Sequence, residues 1–392
     1  MFRKVAVIGA GLCKFGEQWE MSIGELIADA GIKAIESAGI SGKDIQAIYG
    51  GSMSAGRFSN QEHVAALIAD QMGLNPLPAV RVEAACASGG VAFRQAYISI
   101  ASGLYDLVVV GGVEKMTDVS IEEATSILGA ASDYEWEVFH GATFPGIYAM
   151  MARRHMHEFG TTEEQMASVA VKNHFNGSMN PIAQYQNKIT IDDVMKSSVV
   201  ASPLKLLDCS PITDGAGAVI ICSEDYAKKM NARNPVWVAA SAQASDTLAL
   251  HDRKSLVEIN STKVAAAEAF KQAGITHKDV NLAEVHDCFT IAEILALEDM
   301  GFFKKGEAAQ ATFNGETALN SKLSVNTSGG LKACGHPVGA TGIKQIAEIF
   351  YQLRGEAGKR QVANANIGLA HNVGGSGATA VIHIFSKEKK GA

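Results

Sequence analysis

The chain carries 392 residues, 47% of them hydrophobic and 19% charged, so it is too long for one ordinary core and too apolar to be disordered. Its formal net charge of −7, with no dense Lys/Arg run except the tail Lys387, Lys389 and Lys390, argues against a nucleic-acid surface. Six cysteines without framework spacing fit a reducing, cytoplasmic setting, and no apolar run is long enough to cross a bilayer.

In chain order, Met1-Phe2-Arg3-Lys4 followed by residues 5–9 resembles a weak signal peptide, but the apolar run is short and reads better as a buried strand. The turn after it, Gly9-Ala10-Gly11, has Lys14 where a dinucleotide fingerprint needs its third glycine. A capping box at Ser22 and Glu25 predicts a helix with Ile23, Leu26, Ile27, Ala30 and Ala34 on one face, closed by Gly39. Strand 47–49 follows. Val80 and Val82 alternate as another short strand, Ser88-Gly89-Gly90 is a break, and the next helix carries Ala92, Ala96 and Ile100 on one side. Cys86 falls at this elbow, where the helix dipole and unpaired N–H groups favour a nucleophilic thiolate. The same setting also suits one more small buried residue.

After strand 107–110, residues 118–206 lose the strand and helix alternation and are rich in Met, His and aromatics. They read as a mainly helical insertion over one mouth of the site, after which the first unit resumes through 208–217 into strand 218–222. The second half repeats the first. Strand 236–240 and helix 262–273 lead into residues 274–280, which copy 39–45 almost residue for residue. Strands 282–285 and 323–326, a glycine-rich break, helix 343–353 and a strand over 361–365 answer their first-half counterparts. Two copies of one α/β unit, each with a mostly parallel sheet covered on both faces, explain this economically. The division is 1–117 for the N-terminal half, 118–206 for the insertion, 207–234 completing the first half, and 235–392 for the second.

Three further loops lie at strand ends: His286-Asp287-Cys288-Phe289, residues 332–342 around Cys334-Gly335-His336-Pro337, and the glycine-rich residues 368–377. No Cys-X-X-Cys or His-X-X-X-His pair occurs, so no metal is expected. His336, between Gly335 and Pro337, reads as functional, with a helix cap as the plainer alternative. Cys288 opens an apolar helix with Ile291, Ile294 and Leu295, so packing competes with chemistry there. Cys13, Cys209 and Cys222 read as core or near-core, Cys334 as structural, and His140, His155, His157 and His371 as serving folding or solvent contacts. Phe144 and Tyr148 either line a pocket or pack within the insertion.

With Cys86-Ala87-Ser88, Gly335-His336-Pro337, the duplicated halves and the glycine-rich last loop, the sequence resembles the thiolase superfamily over nearly its full length. Its commoner Asn-Glu-Ala-Phe motif is replaced by His286-Asp287-Cys288-Phe289, and Asn372-Val373-Gly374 stands where many members have Cys-X-Gly. Both departures resemble archaeal acetoacetyl-CoA thiolases and sterol-carrier-protein-linked thiolases. The resemblance implies a layered α-β-α-β-α sandwich and acetyl-CoA C-acetyltransferase activity. In that chemistry Cys86 is the acylated nucleophile, His336 takes its proton, and Cys288 is the α-proton base. One oxyanion hole would come from the N–H groups of Cys86 and Gly374, the other from His336 with a water held by His286. It implies no cofactor, with coenzyme A as substrate and product. It also implies a homodimer or homotetramer with a sheet extended across the dimer, and association with hydroxymethylglutaryl-CoA synthase and a small zinc-bearing scaffold protein. Alternatives are a degradative 3-ketoacyl-CoA thiolase of broader chain length, a ketoacyl synthase, and a non-catalytic acyl-CoA or lipid-binding protein of this fold.

Overall fold

The computed structural model describes residues 3–389; Lys390, part of the basic tail, lies outside them. Five strands of the first half, β1 (Val5–Leu12), β2 (Ala47–Gly51), β3 (Ala79–Val82), β4 (Leu107–Glu114) and β5 (Gly215–Ser223), line up in the order β3-β2-β4-β5-β1. The second half supplies β6 (Val236–Ser245), β7 (Leu282–Glu284), β8 (Ser324–Val325), β9 (Ile367–Gly374) and β10 (Thr379–Ser386), in the order β8-β7-β9-β10-β6. Counted from its own first strand, each half therefore reads 3-2-4-5-1. The halves join edge to edge through two antiparallel residue pairs of β1 and β6, Ala6 with Trp237 and Val7 with Val236.

Packing separates five layers. One face of β1, through Ala6 and Ile8, packs with Leu26, Ile27, Ala30 and Ala34 of α1 (Ile23–Ala38) and Ile68 of α2 (Val64–Gln71). The other face, through Val5 and Val7, joins Phe93, Ala96 and Ile100 of α3 (Ser88–Ala101) with Ile343, Ile346 and Phe350 of a matching helix, Thr341–Arg354. These central side chains are buried almost completely, and the valine, isoleucine and phenylalanine side chains each contribute about 1.5–3 kcal/mol. A third cluster covers the outside of the second sheet with the helix Asn260–Ala273, the helix Thr290–Asp299 and part of the insertion. The two central helices touch through glycines at their first turns. A Cβ on Gly342 would lie 2.2 Å from the Gly90 nitrogen, so the crossing requires glycine at 342.

The duplicated heptapeptides fold alike. Gly39 and Gly274 close their helices at φ 65° and 64°, and Ser41 and Thr276 open equivalent turns with Asp44 and Asp279 as partners. Two expectations need correction. Each sheet is half parallel rather than mostly parallel: β2 pairs parallel with β3 and β4, but β5 runs antiparallel to both β4 and β1, and the second half repeats this. A four-residue turn joins β9 to β10, and so short a connection permits only an antiparallel pair. The strand expected at 361–365 lies instead at Ile367–Gly374. Residues 361–365 make a turn, with Asn364 left-handed at φ 57° and the Val362 N–H donating to Gln352 Oε1. Most of the presumed glycine-rich loop is thus strand.

Between β4 and β5 the chain forms helices Ile121–Gly129, α4 (Phe144–Phe159), α5 (Glu163–Gly177) and Ile191–Lys196. No helix among the described residues is long and apolar enough to cross a membrane.

Candidate active site

Cys86 is held at an elbow more strained than its sequence suggests. Ala85, just before it, sits at φ 51°, a left-handed conformation that costs a non-glycine residue roughly 1–2 kcal/mol. Ser88 secures the bend by donating to the Ala85 carbonyl at 2.6 Å and accepting from the Ala84 N–H at 3.0 Å. The sulfur then lies two residues ahead of α3, whose N-cap residue, Ala87, offers no side-chain cap. Cys288 repeats this placement, two residues before the helix Thr290–Asp299, which also lacks a side-chain cap. The positive ends of the two helix dipoles face both positions.

The two sulfurs and His336 line one cavity of about 130 Å³, together with Tyr148, Phe144, Phe289, Cys209 and Gly375 among others. The fold thus brings together Cys86 from the first half, Cys288 and His336 from the second, and a wall from the insertion. Cys209, expected in or near the core, is half-buried on that wall and donates to the Lys205 carbonyl.

Neighbouring side chains assign the ring tautomers. The Thr341 hydroxyl donates to the Pro337 carbonyl at 3.0 Å, so it accepts from His336 Nδ1–H at 2.7 Å. His336 Nε2 is left with its lone pair, the state a base requires. His286 is set the other way. Asn372 Oδ1 accepts from the Gly90 N–H at 3.2 Å, which fixes its amide; its Nδ2 donates to the Cys86 carbonyl at 2.9 Å and to His286 Nδ1 at 3.2 Å. His286 Nε2 therefore carries the proton, and it is buried without a protein partner. One donor atom each from Cys86, His286 and His336 lies within 4.8 Å of the others, a spacing a thiophilic metal could bridge. The protonated Nε2 fits an oxyanion donor and not a metal ligand.

Electrostatics keep these groups neutral. Burial pushes the Cys86 thiol up to about 12, opposed by the Gly375 N–H. The expected standing thiolate is therefore corrected: desolvation outweighs the helix end. Burial, then the Lys344 charge, lowers His336 to about 3, and burial with His336, His371 and Lys344 lowers His286 well below its usual range. Lys344 itself stays charged against buried Glu284 at 3.3 Å. Burial also raises Cys288 well above an ordinary thiol, while hydrogen bonds from Tyr148 and the Phe289 N–H act downward.

Asp287 couples two loops. Its carboxylate accepts from the Leu331 and Lys332 N–H groups at 2.6 and 3.2 Å, at the start of the short helix Gly330–Cys334 that leads into His336. Gly374 ends β9, where a Cβ would lie 2.4 Å from the Ala84 carbonyl oxygen, while the next residue, Gly375, faces the Cys86 sulfur. Sequence reasoning missed Thr341, Gly375 and the role of Asn372. An asparagine closing an apolar strand was the available signal for the last.

A duplicated 3-2-4-5-1 scaffold with paired cysteines and histidines at its strand ends defines a class, and the chain belongs to the thiolase family. Residues 5–225 match the thiolase N-terminal domain, and residues 242–387 the thiolase C-terminal domain-like family. The chain is 57% identical to an acetyl-CoA acetyltransferase of Methanothermobacter thermautotrophicus over 98% of this chain and 100% of that protein, and 52% identical to one of Methanocaldococcus jannaschii over 99% and 100%. The solved Ltp2-ChsH2(DUF35) aldolase superposes with a TM-score of 0.84 at 25% identity, over 98% of both chains.

Proposed function

We propose that the protein is an acetyl-CoA C-acetyltransferase, condensing two acetyl-CoA to acetoacetyl-CoA and CoA and catalysing thiolysis in reverse. The observation that carries this reading is the convergence of Cys86, Cys288 and His336 on one small cavity. The full-length relatives named acetyl-CoA acetyltransferase support it. As acetyl-CoA enters, Cys86 passes its proton to His336 Nε2 and attacks the thioester carbonyl. The tetrahedral oxyanion is met by N–H groups of Cys86 and Gly374, and collapse releases CoA, which takes the proton from His336. Cys288 passes its own proton to the now free His336 Nε2 and, as a thiolate, removes an α-proton from a second acetyl-CoA. The enolate oxygen is stabilised by His286 Nε2–H, directly or through a water, and by the protonated His336 Nε2–H. Attack of the enolate carbon on the acetyl group forms the new C–C bond and expels the Cys86 thiolate, which takes its proton from His336.

Coenzyme A is substrate and product, with no separate cofactor. Incubating the protein with acetoacetyl-CoA and CoA and following loss of the enolate absorbance tests the proposal: rapid loss supports it, no loss contradicts it. Faster cleavage of long 3-ketoacyl-CoAs would instead indicate a degradative thiolase.

The reading extends to assembly. β3 is an outer strand with Val80 half exposed, an open edge suited to pairing with a second copy as a homodimer or homotetramer. The Ltp2-ChsH2(DUF35) aldolase joins two proteins in its name, which makes a complex of this chain with hydroxymethylglutaryl-CoA synthase and a small zinc-bearing scaffold worth testing. Size exclusion of native extract showing only a free homo-oligomer would contradict that complex.

A further inference from the structure

Tyr148 is brought to the two sulfurs from a part of the chain that belongs to neither duplicated half. It lies in the first turns of α4, is 1% exposed, and packs against Phe289 with ring centroids 4.7 Å apart and planes tilted by 32°. Packing alone would be satisfied by phenylalanine, so the hydroxyl calls for a reason. It donates to the Gly375 carbonyl at 3.2 Å, on the residue whose N–H faces the Cys86 sulfur. It also lies within hydrogen-bonding reach of the Cys288 side chain. One O–H can serve only one of these acceptors at a time.

From this geometry we infer that Tyr148 is a positioning residue for the carbon–carbon bond-forming half of the reaction, its hydroxyl turning from the Gly375 carbonyl to the Cys288 sulfur when that sulfur loses its proton. The inference rests on the reading of Cys288 as the α-proton base. With Cys288 as a thiol, Tyr148 O–H points to Gly375. Once Cys288 has passed its proton to His336 Nε2 it meets acetyl-CoA as a thiolate, and the rotated O–H donates to that anion without giving up its own proton. Burial strongly opposes an anionic sulfur here, so a donor that needs only a bond rotation is well placed to offset it. Arg253, bonded through its two terminal nitrogens to Ser376 at 2.6 and 2.9 Å, holds the adjoining turn and sets a positive charge behind the tyrosine.

Cys86 takes no hydrogen bond from Tyr148, so the two half-reactions separate the proposal from a general structural role. The experiment compares wild type, Tyr148→Phe and Cys288→Ala by acetylation of Cys86 from acetyl-CoA, by exchange of acetyl-CoA α-protons with deuterated water, and by acetoacetyl-CoA formation. Tyr148→Phe is expected to leave acetylation near wild type while slowing exchange and condensation about tenfold to a hundredfold, the loss of one bond to a charged group. Without that donor the Cys288 thiolate is less favoured, so the alkaline rise of the exchange rate should move to higher pH. Equal slowing of both halves, or unchanged exchange with an unmoved pH profile, overturns the inference while Cys288→Ala abolishes exchange. If Cys288→Ala itself still exchanges protons normally, the underlying assignment of the base fails instead.

Discussion

The two halves share a strand order, yet they use corresponding strand ends differently. In the first half, Glu114 closes β4 and is fully engaged: its carboxylate accepts from the N–H groups of Met53, Ser54 and Gly339 and from the Ser52 hydroxyl, at 2.7 to 3.3 Å. It locks the loop after β2. In the second half, the loop after β7 carries His286 and Cys288, and β9 carries Asn372. There the network stops one bond short, leaving His286 Nε2 open toward the cavity. One copy of the unit contributes a nucleophile on a rigid frame, and the other contributes the groups that move protons and meet charge. Duplication freed equivalent positions for unequal work.

The sharpest way to break this division is Cys86→Ala, which should give a folded protein with no condensation or thiolysis above background. Circular dichroism and the acetoacetyl-CoA assay check it, and full turnover would remove the nucleophile from the first half. Next in size is His336→Ala. Losing the imidazole that takes the Cys86 proton should slow acetylation by about a hundredfold to ten-thousandfold, read as the rate of acetyl transfer to the protein.

Asn372→Ala sharpens the comparison more finely, because it releases the His286 tautomer without touching either sulfur. A fall in condensation of about tenfold to a hundredfold is expected, with binding of acetyl-CoA less affected than turnover. Equal loss of both would reduce Asn372 to a packing role. The smallest effect concerns resting Cys86. With its thiol held up to about 12 by burial, the reactive thiolate fraction grows as pH rises, so alkylation by iodoacetamide should climb steadily from neutral into mildly alkaline buffer. A plateau already reached at neutral pH would show a standing thiolate.

Much of this frame was legible from residues. The capping box at Ser22, the repeated heptapeptide at 39–45 and 274–280, and the small residues around Cys86 are local patterns, and the chain folds there as those patterns direct. Parallel against antiparallel pairing was not legible, because it depends on which strand a connection returns beside. The run 361–365 had strand composition, but Asn364 in a left-handed turn overrode it. Asn372 lies 286 residues from the Cys86 carbonyl it binds, and Tyr148 227 from Gly375; no local spacing announces such contacts. The Cys86 protonation state was misread for a related reason: the elbow is local, whereas the burial that desolvates the sulfur comes from the whole fold.

The central claim is that two sulfurs from different halves perform separate steps. Cys288→Ala tests it most directly, by mass spectrometry of the Cys86 peptide after incubation with acetyl-CoA alone. The account predicts a stably acetylated Cys86 with no acetoacetyl-CoA in solution. Acetoacetyl-CoA formed at the wild-type rate, or a Cys86 that never acquires the acetyl group, would contradict it.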